Sequence, residues 1–445
     1  MSAVYLTTLG CPKNMVDSRH LLEALISEGF VAVEDPVDSD FILVNTCGFI
    51  KDAKEESIEE ILKLVRYKRR GSKKSRQLLV FGCLAQRYRD DLLTEISEID
   101  GIWGVGQEKE IIEYCKRLEE RVETRKLGRL EGKKKKEALP IPGTSFAYLK
   151  IAEGCDKKCT FCVIPSIRGE FRSTAHESIL EEARAHVRGG VKELILVAQD
   201  ILNYGKEWKD YDLLQLLRDL AAIEGNFWIR LLYLYPTEIT DELLDFIEGE
   251  EKICKYLDIP LQHSADRVLR LMGRRGTRKE YTKLIRTIRR KIPGVTLRTT
   301  FIVGFPSETE EDFSDLVDFI EEMRFDRLGV FTFSKEEGTP SAKLREQVPE
   351  KVKRRRLDEI MTRQAAISLE KNKELVGKKL RAIVDEIDGD VVIVRLCSHA
   401  PEIDGVVIIE KSAAGARHAV PLQVGEFVDV EIIDAYDYDL KGRLT

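Results

Sequence analysis

Apolar positions recur along this chain with two periods, and the switches between them mark out its segments. Over residues 1–125, short apolar runs at 4–8, 41–45 and 78–82 read as strands. Between them, residues 15–28 and 53–68 carry apolar side chains three and four apart, the spacing of one helix face. Strands alternating with helices imply α/β architecture, here an open parallel sheet with helices on its faces. From 144 to 375 the alternation continues, with strands at 147–151, 193–197, 228–232, 256–259, 296–303 and 328–333. Helical spacing separates them at 178–188, 213–223, 278–290 and 310–323. These six units are too few to close an eight-stranded barrel, so a partial (β/α)6 barrel is predicted. A charged helix over 350–375 is expected to pack along its outside. Past residue 376 the pattern turns β-rich, with runs at 380–384, 391–395, 406–410 and 427–433 and Gly and Asp between them. That reads as a small β-barrel of the oligonucleotide-binding type over 376–445. The polar stretch 126–143, with its lysine run and Pro140 and Pro142, reads as a linker.

Composition narrows the class. The 445 residues suit about three domains at roughly 100–200 residues each. Apolar residues are 43% and charged residues 34%, which supports buried cores and excludes collagenous and disordered classes. No apolar run reaches the ~18 residues of a membrane helix. The start lacks a basic region before an apolar stretch, so no secretion signal, no membrane partner and a cytoplasmic location are expected. With 72 basic and 78 acidic residues the net charge is −6, so the chain as a whole is not a basic nucleic-acid binder. Its nine cysteines are expected to be reduced thiols, which directs attention to metal or catalytic roles.

Cys155, Cys159 and Cys162 form C-x3-C-x2-C in the loop after the first barrel strand. Three thiolates in one short loop can hold three irons of a 4Fe–4S cube and leave the fourth open for substrate. The alternative, zinc, wants a fourth Cys or His, and the nearest histidine is His176, at the next helix. Cys11, Cys47 and Cys83 are far apart in sequence, yet each follows a strand of the first segment. Ligands of open parallel sheets bind beyond the carboxyl ends of the strands, so these thiols should gather at one edge. Gly10, Gly48 and Gly82 beside them permit tight turns and close approach of a large inorganic ligand. A second three-cysteine cluster is therefore expected; the plain alternative is three buried thiols serving as small apolar residues. Cys115 reads as core, Cys254 has no cysteine partner in sequence, and Cys397 lies in the β-rich tail.

C-x3-C-x-F-C after the first strand of a partial barrel resembles the radical S-adenosylmethionine enzymes. Two three-cysteine sites, that barrel and a small β tail together resemble the methylthiotransferases over essentially the whole chain. The resemblance implies a TRAM-like tail, two 4Fe–4S clusters and S-adenosylmethionine in two uses. One molecule would methylate sulfur on the N-terminal auxiliary cluster. Another would yield a 5′-deoxyadenosyl radical that takes hydrogen from an unactivated C–H bond, which acid–base chemistry cannot open. It also implies an electron donor such as flavodoxin and a sulfur donor that the sequence does not name.

The family has a transfer-RNA adenosine branch and a RimO-type branch. The second modifies the β-carbon of an aspartate on the small-subunit ribosomal protein at the decoding centre. Gly10-Cys11-Pro12-Lys13-Asn14 with Asp17-Ser18, Asn45-Thr46-Cys47-Gly48-Phe49-Ile50, and Ala198-Gln199-Asp200 are similar to the second branch. Asp258-Ile259-Pro260-Leu261-Gln262-His263 and Lys335-Glu336-Glu337-Gly338-Thr339-Pro340 are similar to it as well. Ser307 stands where a glycine is usual and Ile201 where threonine is. From Leu375 onward there are 8 Lys and Arg against 13 Asp and Glu, a net of 8 − 13 = −5. Such a tail repels phosphates and attracts a basic ribosomal protein, and it lacks an obvious stacking platform for bases, Tyr436 and Tyr438 being its main exposed-looking aromatics. Catalysis on transfer RNA is the alternative, and an iron–sulfur RNA-binding or assembly factor without catalysis is a third.

Further residues carry expectations of their own. Phe161 is expected beside the cluster with its backbone near the adenine. Gln199 and Asp200 end the second barrel strand, on the rim where barrel sites form. Arg298 could pair with a carboxylate of S-adenosylmethionine or of the substrate aspartate, or form a buried structural ion pair. Gln262 and His263 follow the fourth strand, where a hydrogen-bonded loop histidine is the plainer reading. The basic strings 66–76 and 351–356 read as solvated helix faces, with docking on ribosomal RNA as the functional alternative.

Overall fold

The computed structural model describes residues 2–69, 76–123, 144–410 and 422–445. The expected linker 126–143 and residues 70–75 of the first basic string lie outside the described residues. The chain forms two compact units, one from Met1–Pro140 with Val163–Glu170, the other from Ile141–Cys162 with Phe171–Thr445.

The first unit is a five-stranded parallel sheet, β1 (Ala3–Thr8), β2 (Val31–Ala32), β3 (Phe41–Thr46), β4 (Gln77–Gly82) and β5 (Gly101–Trp103), ordered β2-β1-β3-β4-β5. β3 and β4 hold near-continuous apolar runs because helices cover both their faces. Those helices are α1 (Pro12–Ser27), α2 (Lys51–Arg69), α3 (Cys83–Arg87), α4 (Arg89–Glu95) and α5 (Glu108–Glu123). Ile42, Val44, Leu78 and Val80 pack on one side, and Leu43, Leu79, Leu21 and Cys115 on the other, so Cys115 is core as expected. The register pairs Thr8 with Asn45 and Thr46 with Gly82, so β1, β3 and β4 end at one edge.

The second unit begins with β6 (Phe146–Lys150) and the short pair β7 (Ala152–Glu153) and β8 (Arg172–Ser173). Helix α6 (Ile164–Arg168), between that pair in sequence, belongs to the first unit. The partial barrel continues through α7 (His176–Arg188), β9 (Glu193–Val197), α8 (Leu213–Ala221), β10 (Trp228–Leu231), α9 (Asp241–Gly249) and β11 (Ile253–Asp258). It ends with α10 (Asp266–Leu271), α11 (Arg278–Lys291), β12 (Thr296–Val303), α12 (Glu310–Met323) and β13 (Arg327–Thr332). Its six strands lie in chain order from β6 through β9 to β13, and β6 does not pair with β13, so the barrel stays open. Alternate strand residues such as Leu194, Leu196, Ile229, Leu231 and Leu297 join the core shared with the helices. The opposite set includes Glu193, Arg230, Tyr256 and Arg298.

Helix α13 (Glu350–Lys373) packs against β13. The expected solvated face of its basic string is corrected at two positions. Lys353 and Arg356 are buried, Lys353 donating to the Phe333 carbonyl at 2.8 Å and Arg356 pairing with Glu308 at 2.8 Å. The tail closes into a five-stranded barrel of β14 (Lys379–Asp388), β15 (Val391–Leu396), β16 (Val407–Glu410), β17 (Phe427–Ala435) and β18 (Leu440–Leu444).

This barrel shares a compact unit with the partial barrel because a polar network joins them. Fully buried Glu193 accepts from Arg230 at 2.5 Å and from Arg395 of β15. Burial alone would raise the Glu193 carboxyl, but the two guanidiniums hold it below its usual value. The segment after β15 supplies Glu402 to the Tyr148 hydroxyl at 2.9 Å and Asp404 to the Tyr256 hydroxyl at 2.7 Å.

Ser307 has φ +69°, a left-handed backbone that costs a non-glycine residue roughly 1–2 kcal/mol. Ser307→Gly is expected to stabilise the protein by about 1 kcal/mol, read as a higher denaturation midpoint. An unchanged or lower midpoint would show that the serine side chain offsets the strain.

Candidate metal centres

The N-terminal trio sits where three neighbouring strands end. Cys11 lies between β1 and α1, Cys47 follows β3, and Cys83 opens α3 directly after β4. Their loops approach so closely that side chains on the glycines would collide. Gly10 has φ +95°, and a Cβ there would meet Cys47 Sγ at 2.9 Å. A Cβ on Gly48 would meet the Cys83 carbonyl oxygen at 2.9 Å.

Asn14 stitches the loops together, donating to the Leu9 carbonyl at 2.8 Å and the Thr46 carbonyl at 3.2 Å. Its Oδ1 accepts from Arg168 of α6 at 2.5 Å and faces Cys83 Sγ at 3.8 Å. Arg168 also pairs with Asp17 at 3.3 Å. Ser57 fixes Cys47 by donating to its carbonyl and accepting from its N–H, both at 3.0 Å. Val163 and Ile167 wall Cys83 on its apolar side.

Burial pushes the Cys47 thiol up to about 12, and the Cys83 and Cys11 thiols beside it add to the rise. Burial likewise raises Cys83, against the pull of Arg168. Buried thiols of this kind stay protonated until a metal displaces the proton. None of the nine cysteines, all among the described residues, is in a disulfide. Among the described residues no three His, Cys, Asp or Glu side chains form a group able to hold one metal ion. In a cluster each cysteine meets a different iron, so three thiols at one edge fit a multi-iron group.

The second trio occupies the loop after β7. Gly154, at φ +78°, turns the chain, and the Cys162 N–H donates to the Cys159 carbonyl at 3.2 Å. Asp156 anchors the loop by accepting from the Phe171 N–H at 2.9 Å. Burial raises the Cys155 thiol. Gln199, at the end of β9, donates to Glu153 at 3.1 Å, while its buried Oε1 has no donor among the described residues. Asp200 takes Lys157 at 3.2 Å and Asn203 at 2.6 Å, and burial raises its carboxyl. Lys157 also pairs with Glu238 and lies 4.3 Å from the Tyr235 ring centre. Phe161 packs with Met272, Phe305 and Phe333.

Arg298 is in the ion-paired state anticipated as one of its two readings. It donates to Asp258 at 2.9 Å and lies 3.8 Å from Asp404. Gln262 has φ +74° and bridges to Phe301 of β12. His263 is buried, accepts from the Ala265 N–H at 3.0 Å, and is pushed down to about 3 by desolvation. It is thus the hydrogen-bonded loop histidine of the plainer reading. Cys254 lies buried within β11 and is in no disulfide, and burial raises its thiol. The sequence reading missed Ser57 and Arg168, which lie far in sequence from the trio they support. Asn14 was visible only as part of a longer string.

Three stretches of the chain match known families. Residues 149–320 match the radical SAM superfamily, 3–104 the uncharacterized protein family UPF0004, and 376–445 the TRAM domain. A protein of Thermodesulfovibrio yellowstonii named ribosomal protein uS12 methylthiotransferase RimO is 55% identical over 98% of both chains. One of the same name from Lachnoclostridium phytofermentans is 45% identical over 99% of both. Among solved structures, the radical S-adenosylmethionine methyltransferase TsrM of Kitasatospora setae aligns with a TM-score of 0.54 at 15% identity, covering 88% of this chain and 81% of that one. The cobalamin-dependent radical enzyme OxsB aligns with a TM-score of 0.52 at 16% identity, covering 77% and 54%. At these identities the structural likeness concerns the fold alone.

Proposed function

The chain belongs to the RimO family of ribosomal protein uS12 methylthiotransferases, and we propose that it performs this reaction on its two three-cysteine sites. The observation that carries the proposal is the convergence of Cys11, Cys47 and Cys83 at one sheet edge in a chain that also holds the Cys155–Cys159–Cys162 loop. The cofactors are two 4Fe–4S clusters and S-adenosylmethionine, which supply electron transfer, the radical, the methyl group and the carried sulfur. The protein's part is placement. Asn14 and Ser57 hold the N-terminal loops in register. Gln199 and Phe161 are proposed to line the S-adenosylmethionine site, with Asp200 orienting Lys157 above it. Arg298, held by carboxylates, is proposed as part of its floor.

The acidic tail is proposed to dock the basic ribosomal protein, through fewer residues than its net charge implies. Asp385, bound to Arg395, and Asp404 turn toward the partial barrel. Glu386, Asp388 and Asp390 remain outward, as do Asp429, Asp434 and Asp437 beside Tyr436 and Tyr438. The transfer-RNA reading is less supported, because these carboxylates disfavour phosphate. Reduced thiols and an electron donor such as flavodoxin fit a cytoplasmic setting. No helix among the described residues is long and apolar enough to cross a membrane.

The test is anaerobic turnover of reconstituted protein with S-adenosylmethionine, sulfide and a strong reductant. A peptide carrying the ribosomal aspartate loop and an unmodified transfer RNA compete in one tube. Mass spectrometry is expected to find the methylthio group on the peptide aspartate. Its appearance on the RNA instead would overturn the protein-substrate reading.

A further inference from the structure

The turn after α10 is built tightly against the Cys155–Cys162 loop. The Thr160 N–H donates to the Met272 carbonyl at 2.9 Å, and its hydroxyl donates to the Leu271 carbonyl at 2.7 Å. Gly273, at φ +67°, comes so near that a Cβ would stand 2.5 Å from the Lys158 carbonyl oxygen. This turn delivers Arg274 into the loop with only 9% of its surface exposed. One guanidinium nitrogen donates to the Pro260 carbonyl at 2.5 Å, and another lies 3.9 Å from Cys159 Sγ. The guanidinium stands 4.2 Å from the Tyr235 ring centre, and its buried Nε has no acceptor among the described residues.

What is missing is a carboxylate. The other buried arginines, Arg168, Arg230, Arg327, Arg356 and Arg395, show what burial normally requires. Arg168, Arg230, Arg356 and Arg395 have acidic partners, and Arg327 bonds to Ser368 and Asn372. Among the described residues Arg274 has no carboxylate within ion-pair distance; its neighbours are the Pro260 carbonyl, Cys159 Sγ and the Tyr235 ring. An uncompensated buried charge is strongly destabilising, so a buried guanidinium normally has an anion or a set of polar acceptors beside it. Here the group in that place is the sulfur of Cys159.

We propose that Arg274 is a positioning residue that holds the Cys159 thiolate and makes the cluster at Cys155, Cys159 and Cys162 easier to reduce. The inference rests on the reading of that trio as a cluster site. Reduction adds negative charge to an already anionic group. A fixed positive charge and N–H donors at a ligating sulfur favour the reduced form. S-adenosylmethionine cleavage draws on that added electron, so the arginine would act on the step the barrel exists to perform.

The test uses full-length protein carrying Cys11→Ala, Cys47→Ala and Cys83→Ala, so that one cluster remains, with Arg274→Gln and Arg274→Lys made on top. Iron content and a potentiometric EPR titration with dithionite are the readouts. Arg274→Gln is expected to keep its iron and to lower the reduced-to-oxidised ratio at a given potential about tenfold, a shift of about 59 mV for one electron. Arg274→Lys is expected to recover most of that ratio. Full iron with an unchanged potential in Arg274→Gln would overturn the proposal. Loss of iron from both variants would also overturn it, by assigning Arg274 a purely structural role. If the parent protein with Arg274 intact takes up no iron, it is the reading of the trio as a cluster site that fails.

Discussion

Replacing Cys155, Cys159 and Cys162 together with alanine is expected to take turnover below detection while the chain stays folded and retains about half its iron. The loop keeps its shape through contacts that do not involve the thiols. Thr160 bonds to Leu271 and Met272, Asp156 to Phe171, and the Cys162 N–H to the Cys159 carbonyl. All three thiols are partly exposed, so the substitutions leave little cavity behind. The lost quantity is cluster chemistry, which no residue of the protein replaces. The reciprocal variant, Cys11→Ala with Cys47→Ala and Cys83→Ala, should still cleave S-adenosylmethionine to 5′-deoxyadenosine but form no methylthio product. Cys47 and Cys83 are buried, so about 1 kcal/mol of stability per site should be lost there as well. Mass spectrometry of both products with iron analysis reads the whole pattern. Methylthio product from the first variant would remove the radical mechanism.

Glu193→Ala is expected to destabilise the second unit by roughly 3–5 kcal/mol, the cost of leaving buried charges without their partner. Two guanidiniums, Arg230 and Arg395, converge on this fully buried carboxylate, and Arg395 belongs to the C-terminal barrel. Arg230 would keep a neutral acceptor, the Cys397 carbonyl at 3.0 Å, and Arg395 would keep Asp385 at 2.9 Å. Neither restores charge balance at the strand start of β9. Chemical denaturation should show the lower midpoint, and limited proteolysis should release a fragment near 376–445 first. Converting the triad to apolar residues, Glu193→Leu with Arg230→Met and Arg395→Leu, should restore much of the stability. A Glu193→Ala protein that melts like the parent would mean the two barrels are fastened by other contacts.

Much of this architecture was legible in the residue order. The strand expected at 296–303 and the helix at 310–323 lie where Thr296–Val303 and Glu310–Met323 form, because period and capping signals are local. Thr309 and Asp312 make a capping box within four residues. Several boundaries moved by a few residues. The first helix starts at Pro12, which the period alone placed at 15, because proline suits a helix's first turn. The strand expected at 256–259 runs from Ile253 to Asp258, its early residues carrying no clear alternation.

By itself, then, the sequence determined what depends on neighbours along the chain: the strand–helix alternation, the C-x3-C-x2-C loop, and the suspicion that three cysteines each following a strand share an edge. Only the tertiary structure decided the partners of charge. Arg356 and Lys353 looked like a solvated face and are buried, because Glu308 and the Phe333 carbonyl come from elements distant in sequence. Asp404 looked like part of an acidic docking surface and instead meets Tyr256, 148 residues away. Arg168, at the end of α6, and Arg274, in the turn after α10, stand beside Cys83 and Cys159, and no local sequence names those targets. The physical reason is range. Backbone preference and hydrophobic period are set within a turn or two of chain. The cost of burying a charge is met by whichever opposite group the fold brings alongside, and no local pattern records which one that is.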